Sequence, residues 1–209
     1  MGDEPYGALL PWAVFAVVDR AHSGGPLWAA VGALVTALAL LSMSSHERRS
    51  HNVILLGAVG WFSALAVAGA THRFESGFLA HDGRALSAAG FAVIAFGSLA
   101  FTPVMEHYTR PHVRSSSWDD PAFRRVNVAL TLIWAATFTG ISLAHFVGAS
   151  MDTPDALTVF NWVVPIALAA IAGHRSRVVW DDFNDEEMFE SDPMHDLTLD
   201  WQTPRVADQ

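Results

Sequence analysis

Histidine is the residue type best supplied for chemistry in this 209-residue chain, which holds ten of them, and several recur at one spacing. His46 and His51 fall in one polar segment, His107 and His112 repeat the H-x4-H interval in a later one, and His174 closes the last apolar run. Imidazole suits iron, copper and zinc. These five residues are therefore the candidate metal ligands, and a small membrane enzyme with a His-metal centre on the cytoplasmic face is one reading of the chain. His72 and His145 end two other apolar runs at similar depth. One axial imidazole from each could hold a haem, or the two could form a local polar pair.

Membrane fatty-acid desaturases and hydroxylases bind iron through histidine boxes that include adjacent His-His pairs. This chain has no such pair, and Pro111 interrupts any helix that would put His107 and His112 on one face. Other chemistry is excluded by composition. Cysteine is absent, which removes disulfides, thiolate zinc sites, iron-sulfur ligation and c-type haem attachment. Lysine is absent as well, so no Schiff base and no P-loop lysine can form. Apart from a metal ion on the histidines, no cofactor is expected.

Two further features could carry a site. Asn161 and Pro165 interrupt an apolar run. Proline leaves the carbonyl four residues back, that of Asn161, without a donor, and broken helices of this kind line solute sites in transporters. A small-molecule carrier is thus a second alternative, and it requires a polar cavity between the fifth and sixth helices at mid-depth. The other feature is a cluster of Arg110, Arg114, Arg124, Arg125 and Asn127 around Asp119-Asp120-Pro121. An acid at the cap followed by proline in the first turn predicts a helix starting near Pro121. The four arginines and Asn127 then sit at the headgroup boundary, able to contact anionic lipid, a partner, or acids such as Glu106 and Asp119.

The elements that must position these residues are read from hydropathy. Pro26–Met43, Val53–Thr71, Ala85–Met105 and Val128–Val147 contain no Asp, Glu, Arg or Lys, and each runs about 18 residues or more. At about 1.5 Å per residue such a helix matches a hydrocarbon core of about 30 Å. Thr158–Gly173 is slightly shorter and equally uncharged, and Gly7–Val18 is the shortest, reaching only about 18 Å. The expected fold is an all-α integral membrane bundle of six transmembrane helices with a short first span, or five if that segment only enters the membrane. No basic stretch precedes the first apolar segment, so it is expected to be retained rather than cleaved as a signal peptide. Small residues recur every fourth position at Gly60-Ala64-Ala68, Ala88-Ala92 and Ala136-Gly140-Ala144, as ridges for close helix packing or for an oligomer seam.

Arginine distribution sets the expected sidedness. Arg48, Arg49, Arg110, Arg114, Arg124, Arg125, Arg175 and Arg177 border one end of the spans, and Arg20, Arg73 and Arg84 border the other. The first group is expected to be cytoplasmic, with the C-terminus. Residues 1–177 form the transmembrane bundle and carry balanced charge. Residues 178–209 hold ten acids and one Arg, which accounts for the whole net charge of -9. With few apolar residues, this acidic cytoplasmic tail is expected to be disordered, and its aromatics could anchor a protein partner. No nucleic acid partner is expected.

The pattern Pro103, Tyr108-x-Arg110, Trp118-x-x-Pro121-x-Phe123-x-Arg125-x-Asn127 and Thr131-x-x-Trp134-Ala135, with the early Leu10-Pro11-Trp12, resembles a group of uncharacterised bacterial inner-membrane proteins distantly similar to the intracellular septation protein A family. The resemblance implies a multi-span envelope protein of the bacterial cytoplasmic membrane, and the chain as a whole is read as a non-enzymatic accessory or structural component of a membrane complex or of the envelope or septation machinery. It carries no catalytic residues over, and the acidic tail lies outside it.

Overall fold

The computed structural model describes residues 7, 9–21, 26–43, 53–71, 82–151 and 153–190. Among them every regular element is helical. Six helices of ten residues or more are present among the described residues: α1 (Leu10–Ala21), α2 (Pro26–Met43), α3 (Val53–Ala70), α4 (Gly83–Ser98), α5 (Pro121–Met151) and α6 (Val164–Glu190). An α-helical turn, Pro154–Thr158, and a π-helical turn, Val159–Val163, lead into α6 without a break.

Among the described residues three helices are long and apolar enough to cross a membrane: α3, α5, and the apolar stretch Pro154–Asp185 that includes most of α6. The others are shorter apolar helices. α1 packs on α2 and α4, α2 packs on α3, and α3 returns to α4, so the first four helices close a ring; α5 then packs on α4 and α6 on α5. The ring is filled by aromatic rings. Trp12 meets Phe62 edge-on at 5.4 Å and Phe91 at 5.2 Å, Phe15 stacks on Phe62, and Phe91 stacks on Phe138 of α5 at 4.0 Å. Such pairs add about 0.5–1.5 kcal/mol each beyond area burial.

Helix contacts follow residue size only in part as the four-residue ridges predict. Ala88, Ala92 and Ala144 are buried, but Gly60, Ala64 and Ala136 face outward, and nothing lies within 4 Å of a Cβ placed on Gly60. The tightest seam is instead on α2, where Ala29, Ala30, Ala33 and Ala37 are fully buried. The closest glycine contacts are Gly90, under the Trp61 indole, and Gly57, under Ile94.

Two apolar runs differ from their helices. α4 stops at Ser98 although the uncharged run continues to Met105. The Ser98 hydroxyl donates to Ala95 O and accepts from Val104 N, and Pro103 disfavours helix at the residue before it. Pro103, Val104 and Met105 therefore turn inward as a buried elbow rather than extending the span. At the other boundary α6 runs through Val178 to Glu190, which corrects the expectation of disorder for residues 178–190. Phe183 is buried against Phe123 and Trp180, so one face of this acidic extension stays packed while Asp181, Asp182 and Asp185 are exposed. Residues 191–209 lie outside the described residues.

Candidate functional site

α5 begins where Asp120 Oδ1 accepts from Ala122 N at 2.7 Å, the cap expected at Asp119-Asp120-Pro121. From there the elbow is fastened to α5 by a buried polar ladder. Met105 N donates to Thr131 Oγ1 at 3.3 Å, Thr109 Oγ1 donates to Asn127 Oδ1 at 2.6 Å, and Asn127 Nδ2 donates to Phe123 O at 2.8 Å. Asn127 and Thr131 are fully buried. This corrects the placement of Asn127 among headgroup contacts: its amide is consumed inside the protein.

Arg110 pairs with Glu106, its Nε donating to Oε1 at 3.0 Å, and its guanidinium lies over the Trp118 ring at 5.1 Å from the centroid. Arg114, Arg124 and Arg125 are exposed at the same end, as a surface contact requires. Of the histidines, His112 Nδ1 lies 3.0 Å from Tyr108 O, His107 stands edge-on to the Tyr108 ring, and His174 is exposed on α6. The described residues contain no group of three or more His, Asp or Glu that could hold a metal ion, and His46, His51 and His72 lie outside them. Among the described residues His107, His112 and His174 do not form such a group, and the segment between the first two is a one-turn helix followed by a 3-10 turn around Pro111. Tyr108 keeps its hydroxyl buried without a hydrogen-bond partner, and burial pushes its phenol above the ordinary tyrosine range.

At the opposite end, where α4 begins and α5 ends, lies a cavity of about 430 Å³ lined by Asp19, Arg84, Ala85, His145, Ala149, Pro154, Leu157, Thr158 and Asn161. Two polar pairs define it. Arg84 Nε donates to Asp19 Oδ2 at 2.8 Å, joining α4 to the last turns of α1, and both side chains are mostly shielded. His145 Nδ1 and Asn161 Oδ1 are 2.8 Å apart, joining α5 to the π turn. With the amide oxygen accepting, Nδ1 carries the proton and Nε2 is left as an acceptor. The cavity thus falls between α5 and the helix that follows it, but at the ends of the helices and not at the mid-depth that the carrier reading requires.

The local sequence explains this geometry. Thr153 caps the turn at Pro154, its Oγ1 accepting from Ala156 N. Pro165 offers no N–H to Asn161 O, and the chain widens into a π turn over Val159–Val163, a feature common at functional sites. Gly148 lets this turn come close: a Cβ there would sit 2.9 Å from Phe160 Cβ and 3.7 Å from Asn161 Oδ1. Three carbonyls at the start of α4 take side-chain donors from three helices, Ala85 from Ser142, Leu86 from Trp61 and Ser87 from Trp12, which fix the Arg84 turn in place.

A smaller, mostly apolar space of about 150 Å³ adjoins the cavity, lined by Trp12, Phe15, Ala16, Ser87, Ala88, Phe138 and Ile141. Arg84 and His145 border both spaces. In the sequence Arg84 reads as a loop charge that marks sidedness; the signal that could have paired it with Asp19 is their opposite sign at the ends of two apolar runs. Comparison of the chain with protein families, curated proteins and solved structures finds no match, so the resemblance drawn from Pro103 to Trp134 rests on those residues alone.

Proposed function

We propose that the protein is a multi-pass protein of a bacterial cytoplasmic membrane that binds a small polar solute in the cavity between α1, α4, α5 and the π turn. All six helices enter the bilayer in this reading, with the elbow and the C-terminus cytoplasmic and the cavity at the far face. The arginine bias supports that orientation, since Arg110, Arg114, Arg124, Arg125, Arg175 and Arg177 border the elbow end and Arg84 lies at the other.

The observation that carries the reading is the pair of polar contacts, Arg84 with Asp19 and His145 with Asn161, around a cavity at one end of the helix bundle. Ionisable groups cost several kcal/mol near hydrocarbon and tend to mark sites or pathways. The cavity's 430 Å³ falls within the range of small-molecule sites, about 300–1,000 Å³. A role as an accessory or structural envelope component is the second reading. It is favoured by the elbow, whose buried ladder through Asn127 and Thr131 holds a rigid, arginine-edged surface for anionic lipid or a partner. The two readings are compatible in one protein.

The cysteine-free chain permits a direct test. In right-side-out membrane vesicles, Thr158→Cys should react with a membrane-impermeant maleimide without permeabilisation, and Arg114→Cys only after it. Reversed labelling would invert the orientation. A Thr158→Cys thiol reached only after denaturation would mean that water cannot enter the cavity, and the solute-binding reading would fall.

A further inference from the structure

We infer that the cavity takes a small zwitterion carrying an apolar group, the chemistry shared by an aliphatic α-amino acid and an ethanolamine lipid headgroup. This rests on reading the cavity as a solute site, and it follows from how charge and polarity are divided between the two adjoining spaces.

Asp19 and Arg84 cancel. Their one Nε–Oδ2 bond uses one of five guanidinium N–H donors and one of two carboxylate oxygens, which leaves capacity on both partners for a ligand. A simple anion on the free Arg84 donors would leave the shielded site with a net negative charge beside Asp19, and a simple cation on Asp19 would leave it net positive beside Arg84. A zwitterion gives a carboxylate or phosphate to Arg84 and an ammonium to Asp19 while the site stays neutral. The second pair repeats this division: His145 Nε2 is an acceptor for an ammonium, and the Asn161 amide N–H groups are donors for an oxyanion.

The apolar group follows from the smaller space. It shares Arg84 and His145 with the cavity and is walled by Trp12, Phe15, Phe138 and Ile141, so a ligand whose charged end meets the polar pairs has an apolar space beside it for an aliphatic chain. Its volume of about 150 Å³ suits a short branched chain.

The test uses purified full-length protein and radiolabelled L-leucine, in detergent and in nanodiscs of either phosphatidylglycerol or phosphatidylethanolamine. Leucine should bind saturably, while 4-methylpentanoate, 3-methylbutylamine and glycine, lacking the ammonium, the carboxylate and the apolar group in turn, should each compete at least about tenfold more weakly. Asp19→Asn and Arg84→Gln should each weaken leucine by a similar factor, with thermal melting to confirm folding and Arg84→Lys as the milder variant if Arg84→Gln does not fold. Loss of leucine binding only in ethanolamine lipid, with that lipid retained on purification, supports zwitterion recognition and assigns the lipid as its source. Analogues that compete as well as leucine, or leucine binding unchanged in both charge variants, overturn the inference. So does a complete lack of binding together with no retained ethanolamine lipid; the solute-site reading then stands if Thr158→Cys is still labelled from water, and falls with it if that thiol is sealed.

Discussion

At the scale of single residues, the elbow shows two buried polar side chains with opposite energetic sign. Asn127 is fully buried with both ends of its amide engaged, on Thr109 and on Phe123 O, whereas the Tyr108 hydroxyl is buried with no partner. An unmade hydrogen bond on a desolvated group costs about 1–3 kcal/mol, and a made one is worth about 1 kcal/mol. Asn127→Ala should therefore lower the thermal midpoint in detergent, by the equivalent of about 1–3 kcal/mol. Tyr108→Phe should leave it unchanged or raise it, because it removes an unsatisfied hydroxyl and keeps the ring against His107. Melting curves of the two variants decide this, and a loss for Tyr108→Phe as large as for Asn127→Ala would show that the phenol has a partner. The sequence marked Pro103 to Trp134 as distinctive but sent Asn127 outward, since the arginines beside it are exposed. Helical phase separates them: Asn127, Thr131 and Phe123 share the inner face at four-residue intervals. His145 and Asn161 were each visible as polar residues in apolar runs. Their pairing could have been read from their equal distance either side of Thr153, the cap of the intervening turn.

At the scale of elements, the bundle is held by fitted pairs in which one helix gives up a side chain to another. Gly90 is the sharpest case, since a Cβ there would stand 2.3 Å from Trp61 Nε1, and that same nitrogen donates to Leu86 O at 3.1 Å. Gly90→Ala must displace the indole, break its bond to α4 and push on the turn that carries Arg84. Overpacking of this kind costs about 1–3 kcal/mol. In a Trp61→Phe background the smaller ring leaves room, so the same substitution should cost clearly less, with a coupling energy in the range of about 0.5–3 kcal/mol. Equal costs in both backgrounds, measured by thermal or denaturant melting, would show that the close approach is not what selects glycine. Helix positions were largely legible: α2 has the bounds of its uncharged run, and α5 begins at the predicted proline. Contacts were not. A four-residue ridge exists on any face of a helix with many alanines, and α3, apolar all round, gives no direction for its core side. Hence Gly60 and Ala64 face outward while Gly57, one turn earlier, takes Ile94.

At the scale of the whole molecule, the outer surface is apolar where the helices are longest. In the apolar stretch of Pro154–Asp185 only 11% of the most hydrophobic window is buried, against 39% for α5, and Ile166 and Ile171 are more than half exposed. In water such a face would be an aggregation hazard; in a bilayer it is the solvated surface. The same helix then leaves the apolar region and continues to Glu190 among acids, kept in register by Val179, Trp180 and Phe183 against the rest of the protein. That continuation was hidden in the sequence because the run of carboxylates dominates composition, while the three apolar residues that dock it recur at helical spacing. The surrounding medium can be tested at a position that makes no contact needed by the fold. Ile166→Asp puts a carboxylate at an outward site of α6, and in an aqueous protein an exposed exchange of this kind changes stability by less than about 0.5 kcal/mol. In hydrocarbon the same carboxylate costs about 2.5–3.5 kcal/mol on insertion scales. Membrane-inserted yield should therefore fall by roughly tenfold or more, while Asp in place of the exposed Ser115 beside the elbow should leave it unchanged. If both variants accumulate to the wild-type level, and do so in the soluble fraction, the face of α6 is bathed in water and the orientation built on it has no basis.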